Sequence, residues 1–306
     1  MRNNMQTTID LSPTVTSYEQ TRPSWAKAIG SYAAVPAAYK DFFDPLLTEE
    51  RVFPYTVLTP SFEGFLHRAT EKLICDFGHE IYVLERKGDC FEAQCYPLEG
   101  ISYVECRTIL LDSRIKISGV TRQGASASST LRFNTVTERL LIPIVERIRF
   151  ATIGSRDPVE FSEFEKFDCW AGLNFKFMNY AKCSLLGGEK VIHTILQPEI
   201  RVIKLKILGM TFRKLISPTH MSVLTDRELI MIREEERRSG DNKYGGVWDY
   251  IPLNKITALS MKEKGNNLLA LSVQLPEGAH LEYLFQASAK QEVNQLLEQF
   301  KELTAR

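Results

Sequence analysis

The alternation of hydrophobic and polar positions predicts short strands along most of the chain, with one amphipathic helix near residue 150 and another at the C-terminus. Residues 202–207 alternate aliphatic and basic side chains with a period of two, the period of a strand with one buried face. The C-terminal helix is expected to begin near Ser288, a candidate cap. Its apolar face follows the spacing i, i+3, i+4 and i+7, at Val293, Leu296, Leu297 and Phe300.

The helix near residue 150 has the same spacing, at Leu141, Ile144, Val145 and Ile148. Pro143 lies inside this stretch and removes one helical hydrogen bond. It is therefore expected to kink the helix or to delay its start. Each strand-rich half of the chain thus closes with one helix.

Short motifs occur twice and indicate an internal duplication. Leu-Leu-Thr-Glu-Glu-Arg-Val begins at Leu46, and Leu-Leu-Gly-Gly-Glu-Lys-Val begins at Leu185. Further along each half, Tyr-Pro-Leu-Glu-Gly-Ile begins at Tyr96 and Ile-Pro-Leu-Asn-Lys-Ile begins at Ile251. A proline inside a strand must lie at an edge or a bulge, so both copies are expected to bend there.

Six or seven consecutive strands followed by one helix predict an α+β fold with antiparallel sheets. We expect two barrels or sandwiches, each with its open end covered by its C-terminal helix and each preceded by a helical lead-in. The expected organisation is a flexible tail at 1–23, a lead-in and first unit at 24–150 with its core at 46–149, a helical linker at 151–183 and a second unit at 184–306.

These motifs, in this order, resemble those of the bacterial pleckstrin-homology-like domains, including the related GRAM type. The second half carries Leu-Leu-x-Gly-Glu-Lys-Val from Leu185, Leu-Thr-Asp-Arg-Glu-Leu-Ile-Met-Ile from Leu224 and Ile-Pro-Leu-x-x-Ile from Ile251. The first half keeps the first and last motifs but departs from the middle one. The resemblance implies a binding or assembly scaffold rather than a catalyst. Relatives bind phosphoinositides, peptides or other proteins, and bacterial members tend to self-associate.

The resemblance also implies a candidate ligand site, because lipid-binding relatives carry basic residues around their first strand pair. The corresponding residues here are Arg201, Lys204, Lys206, Arg213 and Lys214. Clustered positive charge could attract an anionic membrane surface. The spacing of the last three residues departs from the basic-x-Arg ending of those relatives, and an ordinary solvated strand face remains the alternative.

Composition is that of a globular protein without a general attraction to nucleic acid. Lys plus Arg and Asp plus Glu each number 38, so the formal net charge is zero. At 306 residues the chain is long enough for two ordinary cores. No apolar run approaches the roughly 18 residues of a membrane-spanning helix, and the first 13 residues lack a signal-peptide core. We expect a cytoplasmic protein, with peripheral attachment to a membrane as the alternative.

The cysteines do not follow a zinc-binding pattern. Cys75, Cys90, Cys95 and Cys106 lack the paired short spacings that bring two thiolates to one ion, although His79 lies near the first. In the second half, Leu224 and Met261 take the places of Cys75 and Cys106. Apolar counterparts indicate core packing. The sequence predicts no metal site and no cofactor.

Catalytic motifs are likewise missing from the sequence. Gly119-x4-Gly124 lacks the lysine of a phosphate-binding loop, and no nucleophile elbow, His-Glu-x-x-His motif or dinucleotide fingerprint occurs. The aromatic segment from Phe161 to Tyr180 mixes acidic and basic residues. It is therefore expected to pack between the two units, or to bind a partner, rather than to stack on nucleic acid. The expected role is non-enzymatic, through a protein partner or self-association, and no nucleic acid is expected.

Overall fold

The structure is a computed structural model of α+β class in which every described strand pair is antiparallel. This confirms the predicted class and strand direction. The described residues are 19, 21–47, 52–64, 67–154, 158–207, 210–235 and 245–305.

The first half consists of a short lead-in, a run of strands and a closing helix. Its elements are β1 (Lys27–Ile29), helix α1 (Ala37–Phe43), β2 (Tyr55–Thr59), β3 (Phe62–Gly64), β4 (His67–Ala69), β5 (Lys72–Asp76), β6 (Glu80–Lys87), β7 (Cys90–Pro97), β8 (Ile101–Ile109), β9 (Asp112–Val120), β10 (Ser126–Phe133) and helix α2 (Ile142–Ile153). Pro143 lies in the first turn of α2, where a proline costs no hydrogen bond, so the prediction of a delayed start is confirmed.

The second half has the same plan, with two helices in its lead-in. Its elements are α3 (Phe161–Glu165), α4 (Ala171–Ser184), β11 (Val191–Gln197), β12 (Ile200–Ile207), β13 (Met210–Ser217), β14 (His220–Thr225), β15 (Glu228–Arg233), β16 (Gly246–Pro252), β17 (Ala258–Lys264), β18 (Leu268–Gln274), β19 (His280–Gln286) and α5 (Lys290–Thr304). The cap expected at Ser288 is wrong. A short 3-10 turn precedes α5, and Ala289 occupies the cap position without a side-chain hydrogen bond.

The strand pairing repeats along the chain. In the first half β2, β5, β6 and β7 lie side by side, β3 and β4 form a separate hairpin, and β8, β9 and β10 lie side by side. In the second half β11, β14, β15 and β16 correspond to the first group, β12 and β13 to the hairpin, and β17, β18 and β19 to the last group. A short 3-10 turn follows the proline that ends β7 and β16, at Leu98–Gly100 and Leu253–Lys255.

The sheets are not the closed barrels expected from the sequence. The strands of the largest sheet run in the order β10-β9-β8-β16-β15-β14-β11, so one sheet of seven strands crosses from the first half into the second. Strand β8 pairs with β16 from Val104 opposite Tyr250 to Thr108 opposite Gly246. The barrel expectation fails because neither half joins its four-strand group to its own three-strand group: β7 is the last strand of its sheet, and β16 pairs with β8 of the other half. We call the pairing of β8 with β16 the seam.

Both closing helices bury the predicted apolar stripe. In α5, Val293, Leu296 and Phe300 pack on the strands β17, β18 and β19. In the first half, Ile144 and Ile148 of α2 pack on β8, β9 and β10. The amphipathic spacing therefore identified the buried face of each helix correctly.

The lead-in helices cover the outer faces of the two four-stranded groups. Tyr39 and Phe43 of α1 are fully buried against the first group. Phe177 and Ala181 of α4 are fully buried against strands β14 and β15. The aromatic segment thus covers its own half rather than packing between the halves, because the outer face of that sheet is itself apolar.

Candidate functional site

The predicted basic site lies on the hairpin of β12 and β13. Arg201 is exposed, and its guanidinium pairs with the Glu199 carboxylate at 2.8 Å. Lys214 is exposed and lies opposite Val202, so Arg201 and Lys214 are on opposite faces of the hairpin. The side chains of Lys204, Lys206 and Arg213 lie outside the described residues. Binding of anionic lipid by this hairpin stays a prediction.

The cysteines lie apart from one another or in the core. All six are free, and the described residues contain no group of three or more His, Cys, Asp or Glu that could hold a metal ion. Burial raises the pKa of the Cys75 thiol to about 12. The last pair before the turn is Asp76 with Ile81 in the first half and Leu224 with Leu229 in the second. Aligning these pairs makes Val223 the counterpart of Cys75, whereas the sequence alignment gave Leu224.

The seam exchanges aromatic side chains between the two halves. Tyr103 of β8 is buried in the core of the second half. Tyr250 of β16 packs against the core of the first half. Each core is therefore completed by a residue of the other half, and the two halves are joined by packing as well as by strand hydrogen bonds.

A buried ion cluster lies beside the seam. Arg149, near the C-terminal end of α2, donates hydrogen bonds to the Glu228 carboxylate at 2.7 and 3.0 Å and to the Ser184 carbonyl at 2.9 Å. Its guanidinium is also 3.5 Å from a Glu189 oxygen and 3.8 Å from the centre of the Tyr250 ring. Arg149, Glu189 and Glu228 are all at least 95 % buried, so their charges depend on one another rather than on water.

Sequence reasoning missed this cluster. Glu189 belongs to the repeated Leu-Leu motif and Glu228 to the hairpin motif of the second half, so both carboxylates lie in motifs that the sequence singled out. Arg149 follows the last residue of the apolar stripe of α2. Nothing in its local pattern indicates that a helix of one half supplies the cation for two acids of the other half.

The pKa of Glu189 is raised, because its carboxylate is buried and shares one guanidinium with a second buried carboxylate. Burial and the neighbouring Glu228 carboxylate raise the pKa of Glu189 to about 7, against the lowering effect of Arg149. Its Oε1 accepts from the Thr225 hydroxyl at 2.8 Å, and its Oε2 accepts from the Leu186 amide at 2.6 Å. These bonds hold the carboxyl in place in either protonation state.

Stability is expected to fall as the pH rises from about 4.5 to about 7, the unfolded and folded pKa values of Glu189. In that range the folded protein holds a proton that the unfolded chain has released. Glu189→Gln should reduce this loss, by on the order of 2 kcal/mol, when urea unfolding is compared at pH 5 and pH 7.5. Glu298→Gln on the exposed face of α5 is the matched control and should keep the wild-type profile. An unchanged profile in Glu189→Gln would contradict the prediction.

A second polar cluster lines a cavity at the seam, which we call the polar pocket. The cavity has a volume of about 270 Å³. Four neighbouring strands and β19 contribute Glu105, His220, Arg233, Asp249 and Tyr283 to its lining, and Ser217 and Glu282 are its other polar residues. His220 lies opposite Arg233, and Asp249 lies opposite Glu105. Arg233 lies opposite Val247, two residues from Asp249, so the four side chains share one face of the sheet in two adjacent rows.

The hydrogen bonds of the polar pocket leave two acceptors unused. The Arg233 guanidinium donates to Glu105 at 2.7 Å and to Asp249 Oδ2 at 3.4 Å, and the Tyr283 hydroxyl donates to the same Oδ2 at 2.9 Å. Asp249 Oδ1 and His220 Nε2 are buried and have no partner among the described residues. Buried polar atoms are nearly always bonded, so these two can accept hydrogen bonds from a ligand.

Within the described residues, no helix is both long enough and apolar enough to cross a membrane. A comparison with protein-family models gives no match, and a comparison with curated protein sequences gives none either.

Proposed function

We propose that this protein is a non-enzymatic scaffold of two pleckstrin-homology-like domains that assembles by head-to-tail pairing of its edge strands. The domain assignment is supported by the order of elements in each half, four side-by-side strands, then three, then a helix. The single observation that carries the assembly role is the seam. Within one chain, a three-strand group of one half already bonds the four-strand group of the other.

Among the described residues, β7 and β17 are the counterparts of the two seam strands, and each lies at the edge of its sheet. Strand β7 corresponds to β16 and is the last strand of the five-stranded sheet. Strand β17 corresponds to β8 and is the first strand of the three-stranded sheet. Edge strands offer rows of N–H and C=O groups to another chain. The β17 edge of one molecule therefore has the type of partner it needs in the β7 edge of the next.

The seam also supplies the register of the proposed contact. Trp248 lies opposite Cys106 in the seam. When the two proline motifs are aligned, the counterpart of Trp248 is Ala93 and that of Cys106 is Met261. This register brings Glu92 of one chain opposite Lys262 of the next. Both side chains are exposed, and opposite charges across paired strands are favourable.

The ion cluster has counterparts at the same two edges. Lys301 follows Phe300 in α5 as Arg149 follows Ile148 in α2. In the first half Glu80 is the counterpart of Glu228, and it is buried beside Arg122. A repeat of the seam between chains would bring the exposed Lys301 of one molecule toward Glu80 of the next, which adds a second favourable pair of charges.

The free part of the β7 edge ends at Gln94. The Arg122 amide donates to the Cys95 carbonyl at 2.9 Å. Arg122 is not part of β6, so the main-chain N–H and C=O of Cys95 point to the side of β7 that faces away from β6. Alternate residues of an antiparallel strand bond on the same side, and Ala93 therefore also points its N–H outward. A proline at position 93 would remove that outward donor without removing a hydrogen bond between β6 and β7.

Self-association is expected in size-exclusion chromatography with light scattering, with a mass that rises with protein concentration. Ala93→Pro should lower the affinity of association by at least about tenfold, because it removes a main-chain hydrogen bond and inserts a ring at the contact. Ala93→Thr keeps the N–H and is the matched control. Glu92→Lys and Lys262→Glu should each weaken association, and the two changes together should restore it.

The outcomes separate the two parts of the proposal. A wild-type protein that stays monomeric at every concentration contradicts the assembly role. Association that is indifferent to Ala93→Pro and to both charge reversals keeps the assembly role and rejects these edges as its contact. Circular dichroism must show that each variant is folded before its mass is compared with that of the wild type.

A further inference from the structure

We propose that the polar pocket binds a small primary alkylammonium ion, held by Asp249 Oδ1 and His220 Nε2. Both residues are at least 97 % buried, and both line the cavity of about 270 Å³. An ammonium group carries three N–H donors and no acceptor. It therefore offers two donors to the two unused acceptors and keeps a third for a further oxygen of the pocket.

The charge of the pocket favours a cation. Glu105, Glu282 and the ionised Asp249 are the negative groups of the lining, and Arg233 is its positive group. Lys264 pairs with Glu282 outside the pocket, and Lys116 lies opposite Glu105 on β9. A buried carboxylate without a full partner is costly. A bound ammonium ion would give Asp249 Oδ1 a charged hydrogen bond, whereas an anionic ligand would be repelled by the carboxylates that line the pocket.

The His220 ring is set up as an acceptor. Its Nδ1 lies 3.2 Å from the Pro218 carbonyl, which can only accept, so the proton is assigned to Nδ1 and Nε2 keeps its lone pair. Burial lowers the pKa of His220 to about 4, so the ring stays neutral near pH 7. Phe285 lies edge-on to the ring with centres 4.8 Å apart and restricts its rotation.

Apolar side chains beside these acceptors suit a short hydrocarbon stem. Ile216, Leu281 and Leu284 line the same cavity. A divalent metal ion is a poorer candidate, because the described residues hold no group of three or more His, Cys, Asp or Glu close enough to bind one. The pocket thus combines a polar end for a charged nitrogen with an apolar wall for carbon atoms.

Binding is expected to weaken below about pH 6. Burial raises the pKa of Asp249 to about 6, with Arg233 opposing and Glu105 adding to this effect, so the carboxyl gains a proton in that range. The other titratable or charged groups that face it are Glu105 on β8, Lys116 on β9, His220 on β14, Arg233 on β15, and Glu282 and Tyr283 on β19. Glu282 pairs with Lys264 outside the pocket.

The test uses n-butylammonium chloride as the probe and follows the His220 Hε1 resonance of the full chain, assigned by its loss in His220→Gln. A saturable shift is expected with n-butylammonium at pH 7.5, and neither n-butanol nor sodium butyrate should produce it. Asp249→Asn should weaken binding by at least about tenfold, since it removes one charged hydrogen bond. Asp226→Asn at the opposite end of β14 is the matched control and should bind as the wild type does.

Three results would overturn the proposal. The first is the absence of a saturable shift with n-butylammonium, and the second is an equal shift with n-butanol. The third is an affinity of Asp249→Asn for n-butylammonium within twofold of the wild-type affinity. If Asp249→Asn fails to fold, the titration of the wild type from pH 5 to pH 7.5 replaces it. Affinity that does not fall toward pH 5 then overturns the proposal.

Discussion

Arg149→Met is expected to lower the free energy of unfolding by about 3–5 kcal/mol, because it leaves the buried Glu228 carboxylate without its cation. The methionine fills most of the volume of the arginine stem, so the loss reports on charge more than on packing. Glu228 and Glu189 are both at least 99 % buried and cannot turn to water without opening the seam. Urea unfolding monitored by tryptophan fluorescence measures the change.

The matched control is Arg147→Met in the same helix. Arg147 is 40 % exposed at its side chain and lies 3.3 Å from Asp76, so its loss should cost no more than about 1 kcal/mol. The double variant Arg149→Met with Glu228→Gln should recover part of the loss, because one unpaired charge is then removed. A cost for Arg149→Met equal to that of the control would show that the cluster does not stabilise the contact between the halves.

Gly119→Ala is expected to cost about 3 kcal/mol, the upper end of the usual cost of overpacking. Gly119 lies opposite Ile101 at a bulge between β8 and β9. An added Cβ would overlap the Gly100 carbonyl oxygen and lie 2.7 Å from Ile101 Cα, and neither is a side chain that could turn away. Because β8 also forms the seam, its displacement should weaken the contact between the halves.

Gly30→Ala is the control for that change. Gly30 is exposed, and a Cβ there would meet no atom within 4 Å, so stability should stay within about 0.5 kcal/mol of the wild type. Thermal and urea unfolding of both variants provide the comparison. Similar stabilities for Gly119→Ala and Gly30→Ala would mean that β8 and β9 separate easily at the bulge.

Local patterns were sufficient to predict the elements. The stripe from Val293 to Phe300 identified the buried face of α5, and the two proline motifs marked the bends after β7 and β16. The cap at Ser288 was wrong because a 3-10 turn precedes the helix. Such signals depend on residues close together in sequence, and they are readable without knowing the rest of the fold.

The candidate sites were less predictable. The basic hairpin is a continuous stretch and was found by its charge, whereas the polar pocket draws Glu105 from one half and His220, Asp249 and Tyr283 from three strands of the other. Each of these residues is unremarkable in its own segment. Only the register across β14, β15, β16 and β8 places Glu105, His220 and Asp249 on one face of the sheet, and only the packing of β19 brings Tyr283 to them.

The sequence by itself determined that antiparallel strands dominate the chain, which face of each closing helix is buried, and that short motifs occur twice in the same order. The tertiary structure alone decided that β16 bonds β8, that Arg149 of one half neutralises acids of the other, and that β7 and β17 remain at sheet edges. The physical reason is that periodicity records burial, which is local, while strand edges carry the same main-chain groups everywhere. The choice among possible partners therefore depends on the packing of the whole chain.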